Sequence, residues 1–259
     1  LNMSDVNFEN RVAIVTGAAQ GLGKAIAKRL VDEGCKVSIT DKKSTVLDTA
    51  EEIGAESYLG NVGEDHHVRH VVDSVIKTYG KIDILINNAG EVFPTGPQDD
   101  WDRTAEMFDR VFASNTKGAY LFGRAVATYM MEKNSGHILN VSTDHVKPSP
   151  TSSRHHGHGN MDLYNASKWA LNGFTFDWAK SLAKHNIRVN NLCVGATDTE
   201  MLRKWSGSNP DPEWVKSWMR PEDVAEVIIN LIEEGPDGRT GDNVGLYAGF
   251  DCVLPPPEA

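Results

Sequence analysis

The chain has 259 residues, with 26 Lys and Arg against 36 Asp and Glu and a formal charge of −10. An acidic balance excludes a broad nucleic-acid footprint, which needs clustered cations, and no apolar run approaches the roughly 20 residues that span a bilayer. With 40% hydrophobic and 24% charged residues, the composition is that of a globular protein with chain enough for a large core.

Short β-branched runs alternate with amphipathic stretches along the whole length. Arg11–Thr16 reads as a buried strand and Leu22–Glu33 as a helix with Ile26 and Leu30 on one face. Lys36–Thr40 is a second strand, Val46–Ile53 a short helix and Ser57–Leu59 a third strand. Glu64–Tyr79 is a helix striped by Val68, Val71, Val72 and Val75, and Ile82–Ile86 a fourth strand. Helices follow near Asp102–Phe112 and at Lys117–Lys133, then a fifth strand at His137–Val141. A polar loop leads to a helix at Leu163–Lys184 and a sixth strand at Ile187–Leu192. Residues 195–220 read as irregular, Pro221 opens a helix reaching about Glu234, and Asn243–Tyr247 is a last strand. This alternation predicts an α/β fold: one doubly wound, Rossmann-type parallel sheet of about seven strands with helices on both faces. No repeat or Pro/Ser-rich linker divides the chain, so residues 1–259 are expected to form one dinucleotide-binding catalytic domain.

Cys35, Cys193 and Cys252 share no metal-type spacing and are odd in number, which points to a reducing compartment. Leu1 and Asn2 precede Met3 and take no part in the fold reasoning, and no secretory signal is readable after them. A cytoplasmic protein with a small-molecule substrate, and with neither nucleic acid nor membrane as partner, is expected.

The chemistry begins after the first strand. In Thr16-Gly17-Ala18-Ala19-Gln20-Gly21-Leu22-Gly23 the glycines permit a tight turn and close backbone approach, and the helix opening there attracts a pyrophosphate. Gly17, Gln20, Gly21, Leu22 and Gly23 are therefore expected to contact a dinucleotide. Asp41 lies 18 residues beyond Gly23, at the end of the second strand. A carboxylate there accepts the ribose hydroxyls of NAD and repels a 2′-phosphate, so NAD is the expected cofactor, with Lys42 or Lys43 as the route to NADP. Tyr164 and Lys168 stand four apart on a helix, hence on one face. A phenol is a poor base at neutral pH, and a neighbouring ammonium favours its ionised form.

The spacing Thr-Gly-x-x-x-Gly-x-Gly, the stretch Asn87-Asn88-Ala89-Gly90 and the pair in Tyr164-Asn165-Ala166-Ser167-Lys168 resemble the short-chain dehydrogenase/reductase family over nearly the whole chain. The resemblance implies that Asn88, Ala89 and Gly90 brace the sheet and approach the cofactor. It places Asn61 and Val62 beside the adenine, with Asn where the family often has Asp. It also implies Tyr164 as the acid/base residue, Ser142 holding the substrate oxygen, Asn115 completing a proton relay, and Lys168 serving both relay and nicotinamide ribose. Val194-Gly195-Ala196-Thr197-Asp198-Thr199 resembles the family's Pro-Gly-x-x-x-Thr with Val for Pro, which adds Gly195, Thr197 and Thr199 as cofactor contacts. A homotetramer built on the helices Lys117–Lys133 and Leu163–Lys184 follows from the resemblance alone.

Ser142 and Tyr164 are 22 positions apart, longer than is usual in that family, so residues 143–163 form an extended loop expected to wall the substrate pocket. His155, His156 and His158 suggest a metal, but the loop offers no fourth ligand, and no metal is expected. His66 and His70 are expected to be a wet surface. Residues 196–220 are expected to be a substrate lid. Asp144, His145, Arg154, Arg203 and Trp205 are the candidate substrate contacts, with Glu91 and Lys204 near the same mouth. They would suit a sugar, polyol or hydroxy acid in an NAD-dependent dehydrogenation of a secondary alcohol. The alternatives are an NADP-dependent carbonyl or ketoacyl reductase, a non-catalytic dinucleotide sensor, and a structural subunit with a vestigial site.

Overall fold

The computed structural model describes residues 7–147, 149 and 159–257; Arg154, His155, His156 and His158 lie outside them. In chain order the elements are β1 (Val12–Thr16), α1 (Gly21–Asp32), β2 (Lys36–Asp41), α2 (Val46–Ile53), β3 (Glu56–Leu59), α3 (Asp65–Tyr79), β4 (Ile84–Asn87) and α4 (Trp101–Phe112). They continue as α5 (Gly118–Lys133), β5 (Gly136–Thr143), α6 (Asp162–Leu182), β6 (Ile187–Val194), α7 (Glu200–Trp205), α8 (Pro212–Lys216), α9 (Pro221–Glu233) and β7 (Asn243–Leu246). The seven strands form one sheet in the order β3-β2-β1-β4-β5-β6-β7, and every pairing is parallel.

Strand periodicity of two sends alternate side chains into two cores. Ala13 and Val15 of β1 join Ile26 and Leu30 of α1 and Val224, Ile228 and Ile232 of α9 on one face. Val12 and Ile14 join Val68 and Val72 of α3, Phe122 and Met130 of α5 and Trp178 of α6 on the other. Both faces being covered explains why the strands read as continuous Val/Ile/Leu runs. Chain order reverses between β1 and β4, and their carboxyl ends open the crevice at which such sheets bind ligands.

Buried charge at the opposite end of the sheet is resolved by helix carbonyls. Arg188 of β6 is 5% exposed and donates to Leu231 O (3.1 Å) and Ile232 O (2.9 Å), capping the C-terminal turn of α9.

Two local features depart from the sequence reading. The break expected between Phe112 and Lys117 is a π-helical turn, Ala113–Lys117, that runs without interruption from α4 into α5. The stretch expected to be irregular contains α7 and α8. Thr199 caps α7 by accepting Leu202 N–H (3.3 Å), and Asp211 caps α8 by accepting Glu213 N–H (2.9 Å) with Pro212 in the first turn.

Candidate active site

The end of β1 is stapled to the end of β4. Thr16 Oγ1 accepts the backbone N–H groups of Asn88 (3.1 Å) and Ala89 (3.0 Å), while Asn88 Nδ2 donates to Thr16 O and Gly17 O, both at 3.0 Å. Two glycines make this approach feasible. Gly17 has φ +66° and a Cβ there would stand 2.6 Å from Ala89 Cα; one on Gly23 would stand 2.3 Å from Gly17 O. The sequence marks Thr16 as the first position of the glycine motif but not its bonding role, which depends on the neighbouring strand.

The loop delivers the chain into α1 with Gln20 as an extended N-cap that makes no side-chain capping bond, and with no acidic residue in the first turn. The free N–H groups and the positive end of the helix dipole thus face the crevice mouth, as a pyrophosphate requires. Asp41 stands beside them: its Oδ2 accepts Ala19 N–H (3.1 Å) and its Oδ1 accepts Lys43 N–H (3.0 Å). Lys43 Nζ donates to Gln20 Oε1 (2.6 Å), whereas Lys42 is ion-paired with Glu91. Asn61 Oδ1 accepts Gly63 N–H (3.0 Å), and buried Val62 packs on Gly118. The glycine cradle, uncapped helix and carboxylate fit a nicotinamide dinucleotide.

Asn115 sits on the π-helical turn and is 1% exposed. Its amide clamps Glu91 from both sides, accepting Glu91 N–H (2.7 Å) and donating to Glu91 O (2.9 Å), and it also donates to Ser167 Oγ (3.0 Å). Ser167 in turn donates to Tyr164 O (2.7 Å), so the π turn, the segment after β4 and α6 are locked together beneath Tyr164 and Lys168. A Cβ built on Gly90 would stand 3.2 Å from Lys168 Nζ and 3.4 Å from Asn115 Oδ1, which puts these two groups at one spot against the Asn-Ala-Gly segment. Ser142 is the penultimate residue of β5, its hydroxyl donating to Lys168 O (3.3 Å), and Lys168 Nζ donates to Val141 O (2.8 Å).

The protonation states correct one expectation. The neighbouring ammonium was expected to pull the Tyr164 phenol down, yet burial pushes it up to about 12; a bond with the Thr143 hydroxyl opposes this and the Asp144 charge adds to it. Lys168 Nζ lies 5.9 Å from the Tyr164 ring centroid and points at a carbonyl, so its field on the phenol oxygen does not offset desolvation. Lys168 itself is lowered to about 8 by burial. Tyr164 is therefore a phenol at neutral pH.

At the substrate side, the His145 ring meets Tyr164 edge-on at 6.4 Å and its Nδ1 bonds Asn165 Oδ1 (2.9 Å). Asp144 lies against Gly195, where a Cβ would be 3.0 Å from its Oδ2. Thr197 is buried and donates to Gly195 O (3.0 Å). The Thr199–Glu200 turn rests on the cradle, with Thr199 Cβ 3.3 Å from a Cβ built on Gly21. Arg203 is exposed and committed to Asp198, with bonds of 2.5 and 2.6 Å; Trp205 ends α7 half-buried. The structure thus gathers Asp144 and His145 around Tyr164, while Arg203 is taken by a neighbour and Arg154 lies outside the described residues. His66 and His70 are exposed, as expected for a wet surface.

Residues 11–209 match the family model for short chain dehydrogenases. A 3-oxoacyl-(acyl-carrier-protein) reductase of Thermotoga maritima is 31% identical over 95% of this chain and 99% of its own length. An NAD-dependent glycerol dehydrogenase of Listeria innocua is also 31% identical, over 95% of this chain and 96% of its own. A solved 3-ketoacyl-(acyl-carrier-protein) reductase from Brucella melitensis complexed with NADH superposes with a TM-score of 0.79 at 29% identity, covering 95% of this chain and 100% of that one.

Proposed function

This chain belongs to the short-chain dehydrogenase family, an oxidoreductase fold acting on CH–OH groups, and from that premise we propose that it is an NAD-dependent dehydrogenase of a hydroxyl-rich secondary alcohol. The observation that carries the cofactor reading is Asp41, whose carboxylate is fixed by two backbone N–H groups beside the phosphate cradle. A 2′-phosphate placed there would meet a negative charge, whereas ribose hydroxyls would find an acceptor. The named NAD-dependent relative and the NADH-complexed relative agree with this. For the substrate, Asp144 and His145 beside Tyr164 favour hydroxyl donors; with Arg203 engaged by Asp198, a sugar or polyol suits the mouth better than a hydroxy acid.

The nicotinamide supplies the hydride acceptor or donor when bound. The remaining work falls to this chain. Gly17–Gly23 and the start of α1 hold the diphosphate, Asp41 the adenosine ribose, and Asn61 and Val62 the adenine. Asn88, Ala89 and Gly90, together with Gly195, Thr197 and Thr199, border the nicotinamide half, where Lys168 meets its ribose. The Ser142 and Tyr164 hydroxyls hold the substrate oxygen; the Tyr164 phenol donates its proton to a ketone, and its phenolate removes one from an alcohol. Lys168, lowered to about 8 by burial, stands ready to pass a proton along the relay, and Asn115 keeps the Gly90–Glu91 segment and Ser167 in register with it. Residues 196–220, starting on Gly21, serve as the lid.

Assembly as a homotetramer fits the aromatic surface of α4, α5 and α6, where Phe108 is 46%, Tyr120 41%, Trp169 55% and Phe176 60% exposed. Three unpaired cysteines suit a reducing, cytoplasmic setting. No described helix is long and apolar enough to cross a membrane.

Initial rates followed by nicotinamide absorbance, with NAD and then NADP against polyols, sugars, hydroxy acids and 3-oxoacyl thioesters, test the reading. Turnover with NAD on polyols or sugars is the expected result. Turnover confined to NADP and oxoacyl thioesters would overturn it and favour the ketoacyl-reductase reading, for which Lys43 on Gln20 is the supporting contact.

A further inference from the structure

Two lysines follow Asp41, and both are tied, but differently. Lys43 donates to the neutral amide of Gln20 (2.6 Å). Lys42 reaches the other way, to the carboxylate of Glu91, one residue past the Asn87–Gly90 segment that follows β4. Because β1 lies between β2 and β4, this pair crosses the mouth of the crevice from its adenosine side to its nicotinamide side.

Glu91 is built as the fixed end of that pair. Its side chain is 12% exposed against 48% for Lys42, so solvent competes weakly for the carboxylate. Its backbone N–H and C=O are both held by the Asn115 amide (2.7 and 2.9 Å). Arg110 adds a second cation, with Nε 3.1 Å from Glu91 Oε2 and its guanidinium stacked 4.3 Å over the Phe93 ring. Asn115 fixes the Glu91 backbone and Arg110 holds its carboxylate, and the lysine is the arm that bends to it.

We infer that Glu91 is a cofactor-selectivity residue: by holding the Lys42 ammonium across the crevice, it denies a 2′-phosphate one of the two lysines that follow Asp41 and leaves only Lys43, whose ammonium is turned to Gln20. Selectivity for NAD then has two sources, the repulsive charge of Asp41 and the withdrawal of Lys42 by Glu91. The inference rests on the NAD reading above and adds to it a residue from a different strand end, one that binds neither ribose nor phosphate itself. Its side chain acts through Lys42, which makes it a positioning residue whose effect must vanish when Lys42 is absent.

The test is a double-mutant cycle on the full chain, reading the ratio of the NADP and NAD dissociation constants by titration calorimetry. Using a ratio cancels any general damage to the cradle. Glu91→Gln is expected to improve the ratio in favour of NADP by about tenfold, the worth of one charge-assisted contact to phosphate. Lys42→Met alone is expected to move it by less than about twofold, because the lysine is already withdrawn. The double variant Glu91→Gln/Lys42→Met is expected to return to the ratio of the unaltered chain. A gain in NADP binding that persists without Lys42, no gain in Glu91→Gln, or a loss of about tenfold in Lys42→Met alone would each overturn the inference. Should Glu91→Gln not fold, the Lys42→Met arm decides by itself. An unaltered chain that prefers NADP overturns the NAD reading instead; the cycle would still report whether Glu91 restrains Lys42.

Discussion

Replacing Tyr164 by Phe is expected to lower kcat by about a thousandfold or more while leaving the NAD dissociation constant within a few-fold, because the general acid/base contributes about 10²–10⁴ and more where it also orients the substrate. The change removes one oxygen from a partly buried ring that keeps its place on α6 against His145. The cradle at Gly17–Gly23 and the Asp41 contacts lie on other elements and remain. Steady-state kinetics with calorimetric NAD titration decides: a kcat within tenfold of the unaltered enzyme would remove Tyr164 from the chemistry. The pH dependence carries the same argument. With the phenol pushed up to about 12 by burial, ketone reduction should be flat through neutral pH, and alcohol oxidation should rise as pH climbs.

Lys168→Met is expected to abolish turnover to a similar degree and yet raise the melting temperature at pH 7. Lys168 is 4% exposed, and burial lowers it from 10.5 to about 8. Between those values an unfolded chain binds more protons than the folded one, so this group makes stability rise with pH across that window. Below pH 8 the fold bears the whole cost of a buried ammonium, about 3 kcal/mol from the shift. Met fills similar volume without charge but leaves Val141 O without its 2.8 Å donor, which returns about 1–2 kcal/mol. A net gain of about 1–2 kcal/mol corresponds to roughly 2–6 °C at this chain length, measured at fixed protein concentration. The gain should fade as pH rises from about 8 toward 10.5. A variant that melts lower than the parent at pH 7 would show that the ammonium is stabilising, and the stability argument would fall.

Such a trade is characteristic of a site whose charge is held for chemistry. Lys168 and Tyr164 both sit where burial opposes their ionised forms, and each is restrained from relaxing by bonds to the backbone or to neighbouring hydroxyls. The fold tolerates this because the surrounding network is satisfied: Asn115, Ser167 and Glu91 use one another's donors and acceptors.

The order of elements, the parallel sheet, the phosphate loop and the Tyr164–Lys168 pair were legible in the chain itself, because each depends on local spacing. Hydrophobic period separates strand from helix, a strand-to-helix glycine turn needs only eight consecutive residues, and a four-residue step fixes a shared helix face. The helices α7 and α8 were equally local, signalled by Thr199 and by Asp211-Pro212, but were obscured by the tryptophans and charges around them. What the tertiary structure alone decided is whatever depends on packing between distant segments. No local pattern marks Thr16 as the staple for Asn88, nor Asn115 as the clamp on Glu91 from within a π-helical turn. The direction of the Tyr164 shift belongs here too: chain spacing showed the nearby ammonium, but only the packed site showed that desolvation outweighs it. The pairing of Lys42 with Glu91 across β1, and of Arg203 with Asp198 away from Tyr164, follows from the same cause. Charge partners are chosen by three-dimensional proximity and burial, which the linear spacing of charges does not encode.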